Sequence, residues 1–584
     1  MTVLSTLAHH RDPLLACLNL TGLLADLRAA PPSTLALYAA LSATSLLLAS
    51  LTRLILRNVR LRRALLAQGI PAVPLTSPAH YLIGHIGMLT AAEGPVTVMA
   101  RNMKQYGNVY MTAGLLGRPT LWVADHVAMK TLMVTRTKKW HRTDEGRAML
   151  AAVTGWKGLL AIEDEEHRIH RKIINPVFNL KHLKNLLPYI SSSVDELVTL
   201  LSANPSATVD FVHYAQAATL NVIGRTAIAV DFDALNTQRK SHVHAAYEAL
   251  ASDFDTDPLA NLRRVIPALA KLPLQSNRRF EENMGVVRNE VRKIMAEFAH
   301  ASSEAVSQAK AVGSTGKVVE GESLIKKLYA EMRASEAADD ELGITPDGME
   351  HELLSFIAAG HDTTSITLTM ALYEMGRHPE VRERLYRDLV AAVPKGSQLG
   401  ADEYDRLVAE VPLLTHVINE TLRVHCPVFI NGRQATEDGE LPLADGRVIR
   451  VSKGQRVFMP VQAIQVSPNL WGPTAAEWDP LRWESVTTYE KDLADSMPTD
   501  STMAAAATAD RSSKKVLPPL AFMPFAFGKH SCVGREFATL ELRVFLYKMV
   551  TGFTWESVTK GPVQKRYSIT ASPKEVKIKF TPRA

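Results

Sequence analysis

The sequence predicts a mainly α-helical protein with a small β region, set behind an N-terminal transmembrane helix. Three observations predict it. Residues 33–51 form an uncharged apolar span. Most of 209–298 and of 349–370 follows helical periodicity. Alternating, strand-like patterns are confined to 106–123 and 565–580. The chain has 584 residues, 46% of them hydrophobic, enough for a large core. Its net charge of +6 is mild for this length; it suits a basic patch facing a membrane or an acidic partner rather than nucleic acid. The three cysteines, Cys17, Cys426 and Cys532, are too few and too scattered for a disulfide framework or a zinc site, which fits a reducing compartment.

Taken in order, residues 1–32 form an N-terminal segment with an apolar, interfacial stretch at 13–27 and a glycosylation sequon at Asn19. The transmembrane helix is assigned to 33–56. Its uncharged part is about 20 residues, sufficient for ~30 Å of hydrocarbon. Arg53, Arg57, Arg60, Arg62 and Arg63 follow it, while Arg11 and Arg28 before it are offset by Asp12 and Asp26. That bias places the C-terminal side in the cytoplasm. Residues 57–80 are a basic, proline-rich hinge, with Pro71, Pro74 and Pro78 resisting helix. Residues 81–584 are one catalytic domain. Within it, 140–160 reads as a loop, 255–269 as a lid, 300–322 as a linker and 485–517 as a flexible insertion rich in Ala, Thr, Ser and Asp.

The chemistry concentrates in a few stretches. Residues 525–534 read Phe-Ala-Phe-Gly-Lys-His-Ser-Cys-Val-Gly, ahead of a helical run. Gly528 permits a tight turn and close approach to a flat ring, and Gly534 lets the next helix start beside Cys532. The helix N-terminus favours thiolate at Cys532. Phe525 can wall the site from water, and His530 can meet an acidic group at a ring edge. In 349–370, Phe356, Ile357 and Ala359 give an apolar face that Gly360, Asp362, Thr363 and Thr364 interrupt. A sequence chosen for helix stability alone would avoid those residues. His167 and Arg171 are four apart and share one helix face, a fork suited to a carboxylate. Glu420 and Arg423 are three apart, and Arg482 follows in Asp479-Pro480-Leu481-Arg482-Trp483.

Phe525 to Gly534, the Ala-Gly-His-Asp-Thr-Thr run and the Glu-Thr-Leu-Arg run together resemble the cytochrome P450 family of haem-thiolate monooxygenases, of the membrane-anchored, fungal-like type. The likeness extends from the anchor to the last hairpin. It implies the cytochrome P450 fold and a haem whose axial ligand is the Cys532 thiolate. It implies haem contacts from His167, Arg171, Gly360, Arg433, Phe525, Gly528, His530 and Gly534. Asp362 and Thr363 become the acid and alcohol that carry protons to O2. Glu420, Arg423 and Arg482 become a structural triad. Phe356, Ile357, Ala359, Val428, Phe429 and Ile569 become the substrate pocket. His530 departs from the arginine many members carry. The implied reaction inserts one oxygen atom into a lipophilic small molecule of secondary metabolism, by hydroxylation or epoxidation. Electrons come from NADPH through a separate NADPH–cytochrome P450 reductase, which docks on a basic face of Lys529, Arg535, Arg543, Arg168 and Lys172. The implied location is the endoplasmic reticulum membrane, single-pass, in contact with lipid. A reductase-independent haem-thiolate isomerase or peroxygenase and a non-catalytic haem-binding protein are the alternatives.

Overall fold

The computed structural model describes residues 31–583, except 78–79, 81, 86, 89–90, 92, 206, 237–240, 257–266, 305–323, 339–342, 488–514 and 519. The interfacial stretch 13–27 and Asn19 lie outside the described residues, as do most of the lid, the linker and the insertion.

Helix α1, Pro32–Ala67, starts on a proline at its first position and runs past the expected end of the span. Its apolar part is long enough to cross a membrane, and no residue of its most apolar window is buried. Its last turns dock on the β region. Asn58 Nδ2 donates to Leu116 O at 2.9 Å, and Gln68 exchanges two hydrogen bonds with the Arg450 backbone. The prolines then hold the chain extended. Val73 N donates to Met111 O and Met111 N to Pro71 O, both at 2.9 Å, so the hinge lies along a sheet edge.

Helix α2 is Pro95–Tyr106. Strands β1, Val109–Ala113, and β2, Pro119–Val123, form the expected antiparallel hairpin. After β3, Trp140–His141, the stretch expected to be a loop is instead helix α3, Asp144–Thr154. Its Thr143 side chain caps Gly146 N, and Asp144 and Glu145 in the first turn complement the helix dipole. Helix α4, Asp164–Ile174, has three acidic residues in its first turn and Arg171 and Lys172 in its last. Helix α5, Leu187–Ala203, β4, Thr208–Asp210, α6, Phe211–Ile223, α7, His242–Thr256, and α8, Gln275–Glu304, follow.

Helix α9, Pro346–Arg377, is the axis of the core and packs most extensively on α6. Thr345 caps it, Pro346 occupies its first position and Arg377 its last turn. Helix α10 is Pro412–Val424. Strands β5, Asn431–Ala435, β6, Gly439–Pro442, β7, Val448–Val451, and β8, Arg456–Met459, come next. The main sheet has the order β1-β2-β8-β5-β3, with β2 and β8 parallel. Its β3–β5 register pairs His141 with Gln434, which sets Arg142 beside Arg433. The short strands β9, Val486–Thr487, and β10, Lys515–Val516, pair in parallel at the two ends of the insertion.

Helix α11, Arg535–Gly552, follows the cysteine loop. Strands β11, Phe553–Ser557, β12, Lys565–Tyr567, β13, Ala571–Pro573, and β14, Lys577–Pro582, complete the chain. β12 and β13 form a hairpin whose tip, residues 568–570, reaches α9.

Candidate active site: a thiol loop, a cationic edge and an acid on the central helix

Cys532 lies between the turn Gly528–His530 and the start of α11, and its N–H donates to Phe525 O at 2.8 Å. That bond closes the loop and leaves the Cys532 side of it exposed. Gly528 has φ +68°, and a Cβ there would collide with the Met133 carbonyl oxygen. Its close approach is therefore to a neighbouring backbone, where a flat ring was expected. Gly534 has no such constraint within the polypeptide: a Cβ would sit 3.9 Å from Cys532 Sγ, an ordinary contact. Phe525 packs on the edge of the main core. Arg171 clasps the loop, donating to Ser531 O at 2.5 Å and to Ser531 Oγ at 3.2 Å.

The cysteine loop, the main sheet and α4 bring four basic side chains together in a buried place, with a fifth at its margin. His167 and His530 lie with ring centroids 4.4 Å apart. His530 Nε2 is 3.1 Å from Glu163 Oε2, and Arg142 Nη1 is 3.2 Å from Glu163 Oε1. Arg433, buried on β5, donates from Nη1 to Asn431 Oδ1 at 2.6 Å and to Gly432 O. Lys529 adds its charge at the margin. His167 Nε2 and Arg433 Nε are buried without a hydrogen-bond partner among the described residues. Burial, reinforced by Arg142, lowers His530 to about 2 and His167 to about 3, so both rings are neutral. Burial also lowers Arg433 to about 10. Burial alone would raise the Glu163 carboxyl, but His530 and Arg142 outweigh it and hold the group well below the usual range. Glu163 is thus the carboxylate that pairs with Arg142 and His530, and sequence reading missed both it and Arg142. Only the position of Glu163 at the start of an acidic helix turn could have pointed to it.

Across the core, α9 is helical throughout. Thr363 Oγ1 donates to Ala359 O at 2.8 Å, which accommodates the β-branched hydroxyl inside the helix. Gly360 was expected to open space for O2. A Cβ there would instead meet Ile223 Cδ1 at 2.8 Å, so glycine serves the close crossing of α6 and α9. Asp362 Oδ2 accepts a 2.6 Å hydrogen bond from Thr570 Oγ1, with Ser572 Oγ 3.0 Å beyond. Helix α4 is locked to α9 by a second buried carboxylate. Glu352 Oε1 accepts from Leu159 N at 2.8 Å and lies 3.0 Å from His170 Nδ1.

The structure brings Glu420, Arg423 and Arg482 together. Arg423 donates to both Glu420 oxygens at 2.8 and 2.7 Å, and Arg482 Nε donates to Oε1 at 3.2 Å. Trp483 Nε1 and Asp479 N each add a bond to the same carboxylate at 2.9 Å. The buried members of the expected pocket fall in two packing clusters. Phe356 packs edge-on against Phe178, and Ile357 belongs to the main core. Phe429 is buried against Tyr567. Ile569 is half-buried, Ala359 is exposed, and Val428 is 39% exposed. Of the expected basic face, Arg543 is turned inward to Tyr404 and Thr415, and Arg168 pairs with Glu165.

A ring cofactor with two edge carboxylates fits this donor set. It would supply acceptors to buried nitrogens that lack them and negative charge to a cluster holding one carboxylate. An exposed thiol on a glycine-flanked loop at a helix N-terminus stands beside it. The mainly helical fold with a small sheet is that of a haem-thiolate enzyme. The family model for "Cytochrome P450" matches residues 74–580, and the chain belongs to that family. Among relatives, it is 29% identical over 482 residues to cytochrome P450 monooxygenase 81 of Postia placenta, spanning 79% of this chain and 82% of that protein. It is 28% identical over 527 residues to monooxygenase 91 of the same fungus, spanning 87% and 91%. To monooxygenase FUM15 of Gibberella moniliformis it is 26% identical over 486 residues, spanning 77% and 76%.

Proposed function

We propose that Cys532 is the axial thiolate of the haem, and that the protein inserts one oxygen atom from O2 into a lipophilic small molecule with electrons from NADPH through a separate reductase. The observation that carries the reading is the pairing of the Cys532 loop with an incompletely paired edge of two cations, Arg142 and Arg433, and two neutral imidazoles, His167 and His530. His167, Arg433 and His530 would hold the haem carboxylates. Arg171, already engaged by Ser531, would hold the loop in register. The haem supplies O2 binding and redox chemistry, and its thiolate ligand favours O–O cleavage.

The chain's own part is placement and proton supply. Asp362 is fixed by Thr570, so its second oxygen is left to pass a proton towards Thr363. The exposed Ala359 on α9, with Phe356 of the core one turn before it, favours an apolar substrate. Helix α1 would anchor the protein in the endoplasmic reticulum membrane with the catalytic domain on the cytoplasmic side, as the arginine bias after the span implies. Lys172, Lys529 and Arg535 would form the reductase-facing patch, smaller than the sequence alone implied.

Replacing Cys532 tests the reading most directly. Reduced, CO-treated wild type should give the strongly red-shifted Soret band of thiolate ligation, and Cys532→Ala should lose it. Survival of that band in the variant would remove Cys532 from the iron and end the proposal.

A further inference from the structure

The β12–β13 hairpin is fastened to α9 at both of its ends. At the tip, Thr570 Oγ1 donates to Asp362 Oδ2 at 2.6 Å. At the base, Lys565 Nζ lies 3.3 Å from His425 Nδ1, and His425 Nε2 lies 2.7 Å from Glu374 Oε1. Lys565 opens β12, His425 follows α10, and Glu374 stands in the last turns of α9. Counted along α9 from Asp362 to Glu374, the two fastenings are about 18 Å apart. Between them the hairpin is bonded to the segment that follows His425. Ala571 N donates to Pro427 O at 2.8 Å, and the Tyr567 ring meets Phe429 edge-on with centroids 5.2 Å apart.

The three side chains at the base have one consistent proton arrangement. The Glu374 carboxylate accepts, so His425 Nε2 carries the ring hydrogen and Nδ1 the lone pair. Lys565 then donates to Nδ1. Burial lowers His425, with Lys565 adding to the fall and Glu374 opposing, so the ring is neutral. The attraction between ammonium and carboxylate thus runs through two hydrogen bonds on one imidazole. The other Glu374 oxygen faces Arg377 Nη1 at 3.6 Å and His378 Nε2 at 3.9 Å, at the exposed margin.

Lys565 is the costly member. Burial lowers its ammonium to about 8, against opposing pulls from Cys426 and Glu374. Cys426 is itself a thiol there, because burial pushes it up to about 12, and its Sγ donates to Val428 O at 3.3 Å. A cation held in such a place by one neutral acceptor is unfavourable. Leucine or methionine would begin β12 without that cost.

We propose that Lys565, His425 and Glu374 act as one positioning unit, which seats the hairpin and residues 427–430 against α9 and so sets the wall that a bulky ligand meets beside Asp362. The inference rests on the haem reading, because the ligand is read through the iron. A hairpin released at its base is still tied to Asp362 by Thr570, but it pivots about that single bond. Its tip, 568–570, and Val428 then lose their fixed spacing.

The haem-loaded, full-length protein in phospholipid nanodiscs should be compared with Lys565→Met, Lys565→Arg and Glu374→Gln. Amide hydrogen exchange follows Ser568 N–H, bonded to Thr570 O, and Ala571 N–H, bonded to Pro427 O. Soret titration gives the affinity for imidazole, which fills little beyond the iron's own coordination position, and for clotrimazole, whose three aryl rings reach the surrounding wall. In Lys565→Met both amides should exchange about ten-fold faster and clotrimazole should bind about ten-fold more weakly, the size of one lost charge-assisted hydrogen bond. Imidazole should stay within about two-fold of wild type, because it does not touch the wall. Lys565→Arg keeps a charged donor for Nδ1 and should recover most of both losses. Glu374→Gln combined with Lys565→Met should add nothing to the lysine change alone, because one unit is broken once. Wild-type exchange and clotrimazole affinity in Lys565→Met would overturn the unit, and so would additive losses in the double variant. An equal fall in imidazole binding, or loss of the red-shifted CO band, would mark Lys565 as a residue of general stability and overturn it as well. A wild type whose Soret band answers neither azole would defeat the haem reading. Amide exchange on that same chain would then still decide whether Lys565 holds the base of the hairpin.

Discussion

Two buried clusters of charge in this molecule are built from the same residue types and differ in completeness. At Glu420, one carboxylate accepts from Arg423, Arg482, Trp483 and Asp479 N, while Arg423 also donates to the carbonyls of Gln465, Ala475 and Glu477. Trp471 covers the guanidinium. At Glu163, one carboxylate faces Arg142 and His530, and His167 and Arg433 keep buried nitrogens without a partner among the described residues. The first cluster is completed by the polypeptide, which supports the structural role expected of it. The second is left incomplete among the described residues, which is what the proposed haem site requires. Completeness, more than charge count, separates a structural knot from a cofactor site.

The difference can be broken most sharply at the finished cluster. Glu420→Gln strands Arg423 and Arg482 in a buried place and should cost about 3–5 kcal/mol. Chemical denaturation should show the loss with and without haem. A loss confined to the haem-loaded protein would make Glu420 a haem-site residue after all.

Arg433→Met should behave in the opposite way. It removes a buried, incompletely paired cation, so the haem-free chain should change by less than about 1 kcal/mol. Haem affinity should fall by about 10- to 100-fold, the equivalent of about 1.5–3 kcal/mol for a charged hydrogen bond. Haem titration of the variant reads this directly, and unchanged affinity would take Arg433 out of the site.

A smaller effect should appear with pH. His167 and His530 are neutral when folded, with pKa values lowered to about 3 and about 2, against 6.5 when unfolded. Below 6.5 the unfolded chain therefore binds more protons, and stability falls as pH falls from about 6.5 towards 3. Each ring contributes up to about 1.4 kcal/mol per pH unit. The melting temperature of the haem-free protein should drop between pH 7 and 5. The haem-loaded protein should drop less, because added carboxylates offset the charge. Equal drops would mean that the histidines do not face the cofactor.

What was legible in the sequence was local. The cysteine loop, the Gly360–Thr364 run and the Glu420–Arg423 pair each sit within one short stretch, where spacing carries the chemistry. The partners that complete them come from elsewhere. Thr570 reaches Asp362 from a hairpin some two hundred residues on, and no spacing rule links them. Gly528 and Gly360 looked like cofactor glycines, yet their close neighbours are Met133 and Ile223. A glycine reports that something approaches closely, without saying what. Helix α3 was legible and missed. Thr143, Asp144 and Glu145 are a start signal, but the glycines in that stretch suggested a loop.

The parallel pairing of Val486 with Lys515 and Thr487 with Val516 has a consequence for how this chain can vary. The two ends of the insertion meet on the protein's own scaffold, so the catalytic core is continuous across it. Lengthening a connection whose ends are already held together costs only about 0.6 kcal/mol for each doubling. Codons gained or lost between Thr487 and Lys515 would therefore leave that pairing, and the core on either side of it, in place.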